Sequence, residues 1–242
     1  MAMARRKAIV MDENGSSNNQ ALFHLMSWMS PSYPVGAYTY SHGIEYAVEG
    51  GLVSNREDIC TWITDILNYG SGRSDCILLA AAYRAVRNNA IDELQDIIEL
   101  GLAYCSTREL ELETTQQGRA FIRVTSDVAP SEILKMLAEH RSGSIIYPIT
   151  VAVVAAEEAI PLAETLTAYL HGFISNLVSA SVRLIPLGQT DGQRVIAALE
   201  PTVQVLVDNT LTTTVDDLGS ATLMVDWCSS QHETQYTRLF RS

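Results

Sequence analysis

The chain has 242 residues, 47% hydrophobic and only 18% charged, a composition that excludes a structureless polypeptide and predicts a buried core in one large domain or two small ones. Lys and Arg number 16 against 28 Asp and Glu, a net charge of -12, which argues against nucleic-acid binding and against docking on an anionic membrane, since both need clustered cations. Only Lys7 and Lys135 are lysines; the remaining cations are arginines, the side chain suited to bidentate and stacked contacts at protein interfaces.

At the start of the chain, Arg5, Arg6 and Lys7 precede only the short apolar stretch Ala8 to Met11 before a polar run, so no secretory leader is read there. Residues 1–20 are expected to form a flexible N-terminal segment. Leu22, Leu25, Met26 and Met29 then recur at helical spacing until Pro31 and Pro34 halt them. Tyr40, Ile44, Ala47 and Val48 predict a second helix, stopped by Gly50 and Gly51. Ser54 to Glu57 fits a capping box, with Ser54 as the cap, opening a helix whose stripe is Ile59, Ile63, Ile66 and Leu67. Helical periodicity continues over 75–86, 91–102 and 108–124.

In the second half, Pro130-Ser131-Glu132 opens one helix and Pro161 opens a long one running to Leu184, ended by Pro186 and Gly188. Segments 144–156 and 203–215 are rich in β-branched residues and read equally as strands by periodicity. Helix is preferred for both, because two isolated strands in a helical chain would leave sheet edges unpaired. The expected fold class is therefore all-α, a single-domain bundle of about ten helices over 21–227, with mobile ends at 1–20 and 228–242. The apolar run 145–156 is interrupted by Pro148 and Thr150 and falls short of the roughly 20 residues of a membrane span, so a cytoplasmic protein is expected.

Enzyme motifs are absent from the sequence: no phosphate-binding glycine loop, no H-E-x-x-H, no G-x-S-x-G. Cys60, Cys76, Cys105 and Cys228 form no C-x-x-C pair and read as buried or inert thiols. The histidines are scattered, and no Glu-x-x-His pair suggests a di-iron centre. Glu109, Glu111 and Glu113 alternate at i+2, which splays them around a helix and reads as a solvated face.

Three segments stand above this background. The first is Pro34-Val35-Gly36-Ala37-Tyr38-Thr39-Tyr40-Ser41-His42-Gly43-Ile44-Glu45, in which His42 and Glu45 lie three apart. The second runs from Ala180 to Gln193 and holds Arg183, Pro186, Gly188, Gln189 and Asp191, with Asp191 a candidate cap for the next helix. The third is the tail His232-Glu233-Thr234-Gln235-Tyr236-Thr237-Arg238-Leu239-Phe240-Arg241-Ser242. In order and spacing these blocks resemble the UreF family of urease accessory proteins, and the resemblance extends from about Gln20 to Ser242. It implies an all-α homodimer that binds UreD (also called UreH) and the GTPase UreG and helps deliver nickel to apo-urease.

The residues carry readings of their own. The first block serves either as a packing and capping unit or as a partner-facing surface, and His42 with one nearby carboxylate is not a sufficient divalent-metal site. The second serves as a helix end or as a rigid loop presented to a partner. Tyr236, Arg238, Leu239, Phe240 and Arg241 are of the types enriched at interface hot spots, and i, i+3, i+4 spacing would align the three apolar ones on a helix formed on binding. The tail is therefore expected to order against UreD, with packing on its own domain as the alternative. The leading expectation is a non-enzymatic chaperone bridging UreG and UreD, with no tightly bound cofactor and nickel handled by the complex. A GTPase-activating role with Arg183, Arg238 or Arg241 as arginine finger, or a nickel-carrying helical protein, are the alternatives.

Overall fold

A computed structural model describes the backbone of residues 13–242. Among these residues there are eleven α-helices, three short 3-10 turns and no strands. The first helix, α1 (Glu13–Trp28), begins inside the expected flexible segment, whose residues 1–12 lie outside the described residues. A 3-10 turn at Ala37–Thr39 leads to α2 (Ile44–Glu49), followed by α3 (Arg56–Tyr69), α4 (Ser71–Arg87), α5 (Ile91–Ala103) and α6 (Arg108–Val128). The second half contributes α7 (Glu132–Glu139), α8 (Tyr147–Glu157), α9 (Leu162–Leu184), α10 (Gln189–Thr210) and α11 (Leu223–His232).

Both ambiguous β-branched segments are helical. Segment 144–156 becomes α8, in which every residue from Pro148 to Ala156 is buried. A helix enclosed all round shows no amphipathic rhythm, which is why its pattern resembled a buried strand. Segment 203–215 is the last turns of α10 and a link to the 3-10 turn Val215–Asp217. Helix α8 sits at the centre, packed on α4 along one side and α6 along another, while α9 and α10 pair with each other and α10 also rests on α3. Buried alanines on both α4 and α8 are short enough to let their axes approach closely.

Local chemistry corrects three details. The cap of α3 is Asn55, whose side chain accepts from the Asp58 amide at 3.0 Å; Asp58 in turn accepts from the Ser54 amide and hydroxyl, each at 2.9 Å. The cap is thus one residue later than expected, and Glu57 instead pairs with Arg56. Helix α10 is capped by Gly188, and Asp191 lies in its first turn, 2.8 Å from Arg194 and 3.7 Å from Arg56. The predicted helix over 40–48 starts only at Ile44, because His42 (φ 55°) and Gly43 (φ 79°) hold the backbone in the left-handed region.

An aromatic run ties the layers together. Trp28 meets Phe121 edge-on at 6.1 Å, Phe121 meets Tyr147 at 5.6 Å, Tyr147 meets Tyr169 at 5.8 Å, and Phe173 continues the series to the His42 ring. The closest backbone approach occurs at Gly118 on α6, where a Cβ would run into the Ile145 carbonyl oxygen just ahead of α8. Because that obstacle is main chain, it cannot rotate away. Gly118→Ala is expected to lower stability by about 3 kcal/mol despite the better helix propensity of alanine, measured as a fall in the urea midpoint at constant m-value.

Candidate functional site

The three motif blocks meet at one junction, built by α2, α6, the end of α9 and the residues after α11. Tyr38 is exposed and Tyr40 buried, so the two aromatics flanking Thr39 face opposite ways. The tail lies along this segment: the Arg241 amide donates to the Thr39 carbonyl at 2.8 Å, and the Ser41 amide donates to the Ser242 carbonyl at 2.7 Å. Ser41 adds its hydroxyl to the same Ser242 oxygen at 2.6 Å. Arg183, from the second block, donates to the Tyr38 carbonyl at 2.8 Å and lies 4.3 Å over the Phe240 ring. One guanidinium therefore touches all three segments' junction, a use that a lysine would serve poorly.

Beneath this surface lies a chain of buried ionisable groups. Glu45, in the first turn of α2, accepts from the Leu239 amide at 2.6 Å, the Phe240 amide at 2.9 Å and His232 Nε2 at 2.9 Å. His232 Nδ1 lies 3.2 Å from Glu109, and Arg238 reaches the other Glu109 oxygen at 3.4 Å. Both ring nitrogens of His232 are thus within hydrogen-bond distance of a carboxyl group. One turn along α6, Glu113 faces His42 Nδ1 at 3.2 Å and accepts from the Ser242 hydroxyl at 2.9 Å, while His42 Nε2 lies 2.8 Å from the Ser71 hydroxyl. Gly43 makes the approach possible: its Cβ would sit 3.0 Å from the Ser229 amide nitrogen of α11.

Glu109 and Glu113 are thus buried, which corrects their reading as part of a solvated face; Glu111 between them is exposed. Their spacing of four puts both on one side of α6, and each opposes a histidine from a different part of the chain. Nothing local in the sequence marks those partners, which lie 71 and 123 residues away. The expected tail boundary at 228 falls within α11, where Cys228 and His232 are fully enclosed. Residues 233–242 run along the domain in a non-helical course: Phe240 is buried, and Tyr236 and Leu239 are exposed. Glu233 is exposed beside Arg108. Gly36 precedes the Ala37–Thr39 turn at φ 77°, and Pro34 is exposed. Pro186, Gly188 and Gln189 lie exposed in the α9–α10 connection, whose Asp191 turns toward Arg56 and away from the junction.

A cavity of about 120 Å³ opens beneath the junction, lined by His42, Ser71, Asp75, Glu113, Tyr147 and Tyr169 among others. Burial pushes the Asp75 carboxyl up to about 6, opposed by the hydrogen bond from the Tyr169 hydroxyl at 2.6 Å and by His42. Burial alone would lower His42, but the charge and hydrogen bond of Glu113, with Asp75 and Asp226, lift it above its ordinary value. Both His42 nitrogens are engaged, and no group of three or more His, Cys, Asp or Glu among the described residues could hold a metal ion. The thiols of Cys76, Cys105 and Cys228 are all pushed up by burial, away from the thiolate form that binds metal.

The fold and junction together define an all-α, single-domain protein whose three dispersed motifs assemble one composite surface. A sequence model of the UreF family matches residues 53–200. The chain is 49% identical over 222 residues to the urease accessory protein UreF of Rhodopseudomonas palustris (strain BisB18), covering 92% of each chain. It is 45% identical over 242 residues to that of Bradyrhizobium diazoefficiens, covering both chains completely, and 47% identical over 227 residues to that of Granulibacter bethesdensis, covering 94% of this chain and 96% of the relative. The chain belongs to the UreF family of urease accessory proteins.

The raised Asp75 value gives a pH signature. A carboxyl that holds its proton more tightly when folded costs stability as pH rises from the unfolded value near 4 through about 6. His42 contributes in the same direction: its extra stability is complete below its unfolded value near 6.5 and is lost as pH rises through its higher folded value. Asp75→Asn keeps an oxygen for Tyr169 and removes the buried charge. It is expected to stabilise the protein at pH 7.5 by on the order of 2 kcal/mol and to change little at pH 4, checked by urea unfolding at the two pH values.

Proposed function

We propose that the chain works in the cytoplasm as a non-enzymatic, homodimeric scaffold of urease maturation, bridging the GTPase UreG and UreD/UreH on apo-urease so that nickel is inserted. Nickel is the cargo of the complex in this reading, and the chain holds no tightly bound cofactor of its own. The observation that carries it is the outward display of the docked tail. Tyr236 is fully exposed and Leu239 is 64% exposed, while the Leu239 amide is held by Glu45 and the two last residues are held by Thr39 and Ser41. Apolar side chains kept in water on an ordered backbone are costly to a free protein and useful to a complex. Around them Arg183, Arg238 and Arg241 concentrate positive charge on a chain whose net charge is -12, which favours an acidic partner surface. The same geometry supports a scaffold over an arginine finger, because Arg183 is engaged in holding the junction together.

Further exposed apolar side chains, Leu22, Phe23 and Met26 on α1 and Leu223, Met224 and Trp227 on α11, supply area for a second copy and for UreG. No helix among the described residues is long and apolar enough to cross a membrane.

Removing the whole tail would uncover the core at α11, so point substitutions test the reading better. Tyr236→Ala with Leu239→Ala is expected to weaken binding to UreD by about 100-fold, as two hot-spot truncations would, and to leave the melting temperature nearly unchanged. In cells carrying the urease operon the double variant should yield apo-urease. Full affinity and active urease in its presence would reject the proposal.

A further inference from the structure

We propose that the cavity beside α4 is a binding site for a small primary alkylammonium ion, its ammonium group held by the free oxygen of Asp75 and its short alkyl part set against the rings of Tyr147, Tyr169 and Phe173. The lining of the cavity carries three carboxyl groups, on Asp75, Glu113 and Asp226, and the one side chain there that can bear positive charge is His42. His42 is already committed, with Nδ1 on Glu113 and Nε2 on the Ser71 hydroxyl. The Tyr169 hydroxyl donates to one oxygen of Asp75 at 2.6 Å, and no group among the described residues bonds the other. Gln117, on α6, lines the same cavity and is only 7% exposed, yet its amide meets no partner among the described residues. A buried carboxylate oxygen and a buried amide left open toward one enclosed space are acceptors awaiting donors.

The surrounding walls narrow the class of donor. No group of three or more His, Cys, Asp or Glu among the described residues could hold a metal ion, so the answering charge has to bring its own hydrogen atoms. An ammonium group brings three donors, matching the Asp75 oxygen and the Gln117 carbonyl. Tyr147 and Tyr169 stand 5.8 Å apart and Phe173 stacks on Tyr169 at 6.4 Å, a set of ring faces that attracts a cation and accepts the carbon next to it. Leu78, Ile146 and Leu177 make further parts of the wall apolar, which favours an alkylammonium over a fully hydrated ion. About 120 Å³ limits the occupant to a few heavy atoms, which displace part of the water. The charge that burial makes costly on Asp75 is thereby offset.

The test uses the full chain at pH 7.5 and constant ionic strength. Methylammonium chloride should raise the melting temperature along a saturable curve with a Kd on the order of 10 mM, near the limit for two heavy atoms. Ethylammonium should bind about fourfold tighter through its extra methylene. Potassium chloride, which has the charge without the donors, and ethanol, which has the alkyl part without the charge, should give no saturable rise. Bound carbon-13 methylammonium should show Overhauser contacts to the Tyr147 and Tyr169 rings. Asp75→Asn should weaken binding by about 30-fold or more, and Gln117→Leu by about tenfold. Gln117→Leu carries the test should Asp75→Asn not fold. An equal rise with potassium, a rise that never saturates, or full affinity in both variants would overturn the proposal.

Discussion

The arrangement of this protein around its motifs depends on three buried carboxylates. Glu45, Glu109 and Glu113 would each cost several kcal/mol if left unpaired away from water. Each is met by a histidine, and each also takes bonds from the last residues of the chain: main-chain amides at Glu45, Arg238 at Glu109, the Ser242 hydroxyl at Glu113. The tail is therefore the missing donor set of an acidic, buried patch, and its course follows from where those acceptors stand on α2 and α6. Buried ion pairs of this kind seldom add much net stability compared with apolar packing. Their effect is registry: a shift of the tail by one residue would swap Leu239 for Phe240 in the pocket and strand a carboxylate.

The aromatic run and the cavity are the other side of the same constraint. From Trp28 to Phe173, rings on α1, α6, α8 and α9 wall off the space that reaches His42 and Asp75. Polar groups with several open lone pairs and about 120 Å³ of room suit ordered water, which would share the solvation that burial removes from Asp75. The strain of keeping an acid there is accepted at the edge of the junction, next to α4, whose other side is packed against α8.

How much of this the sequence displays depends on the range over which each signal acts. Helices with one wet face are plain, since Ile59, Ile63, Ile66 and Leu67 announce α3 and Ser131 caps α7 as its spacing suggests. The all-α class is readable even for α8, through the argument about unpaired sheet edges. The tail's importance is legible too, from its aromatic and arginine content. Its docking is not, because the groups that hold it are singly unremarkable: one glutamate in a short helix, one histidine near the end, two glutamates in a run of alternating charge. The i+2 alternation of Glu109, Glu111 and Glu113 hides the i, i+4 pair that matters, and only the tertiary partner 71 or 123 residues away distinguishes a buried carboxylate from a solvated one. His42 illustrates the same limit, since its distance of three from Glu45 suggests a shared helical face, whereas its left-handed backbone sends it to Glu113.

Charge distribution connects the junction to partner choice. The chain carries -12 overall, and three of its carboxyl groups, Glu45, Glu109 and Glu113, are buried facing His232, Arg238 and His42. Arg183, Arg238 and Arg241 are exposed on the segments that meet at the junction, as is the outward-facing Leu239. A partner surface complementary to these arginines would be oriented by them before contact forms. Specificity of this sort needs a rigid display, because arginines on a loose tail would spread their charge over many positions. The carboxylates that hold the tail inside and the arginines that it presents outside thus act as one device: the first fixes the geometry that gives the second its meaning.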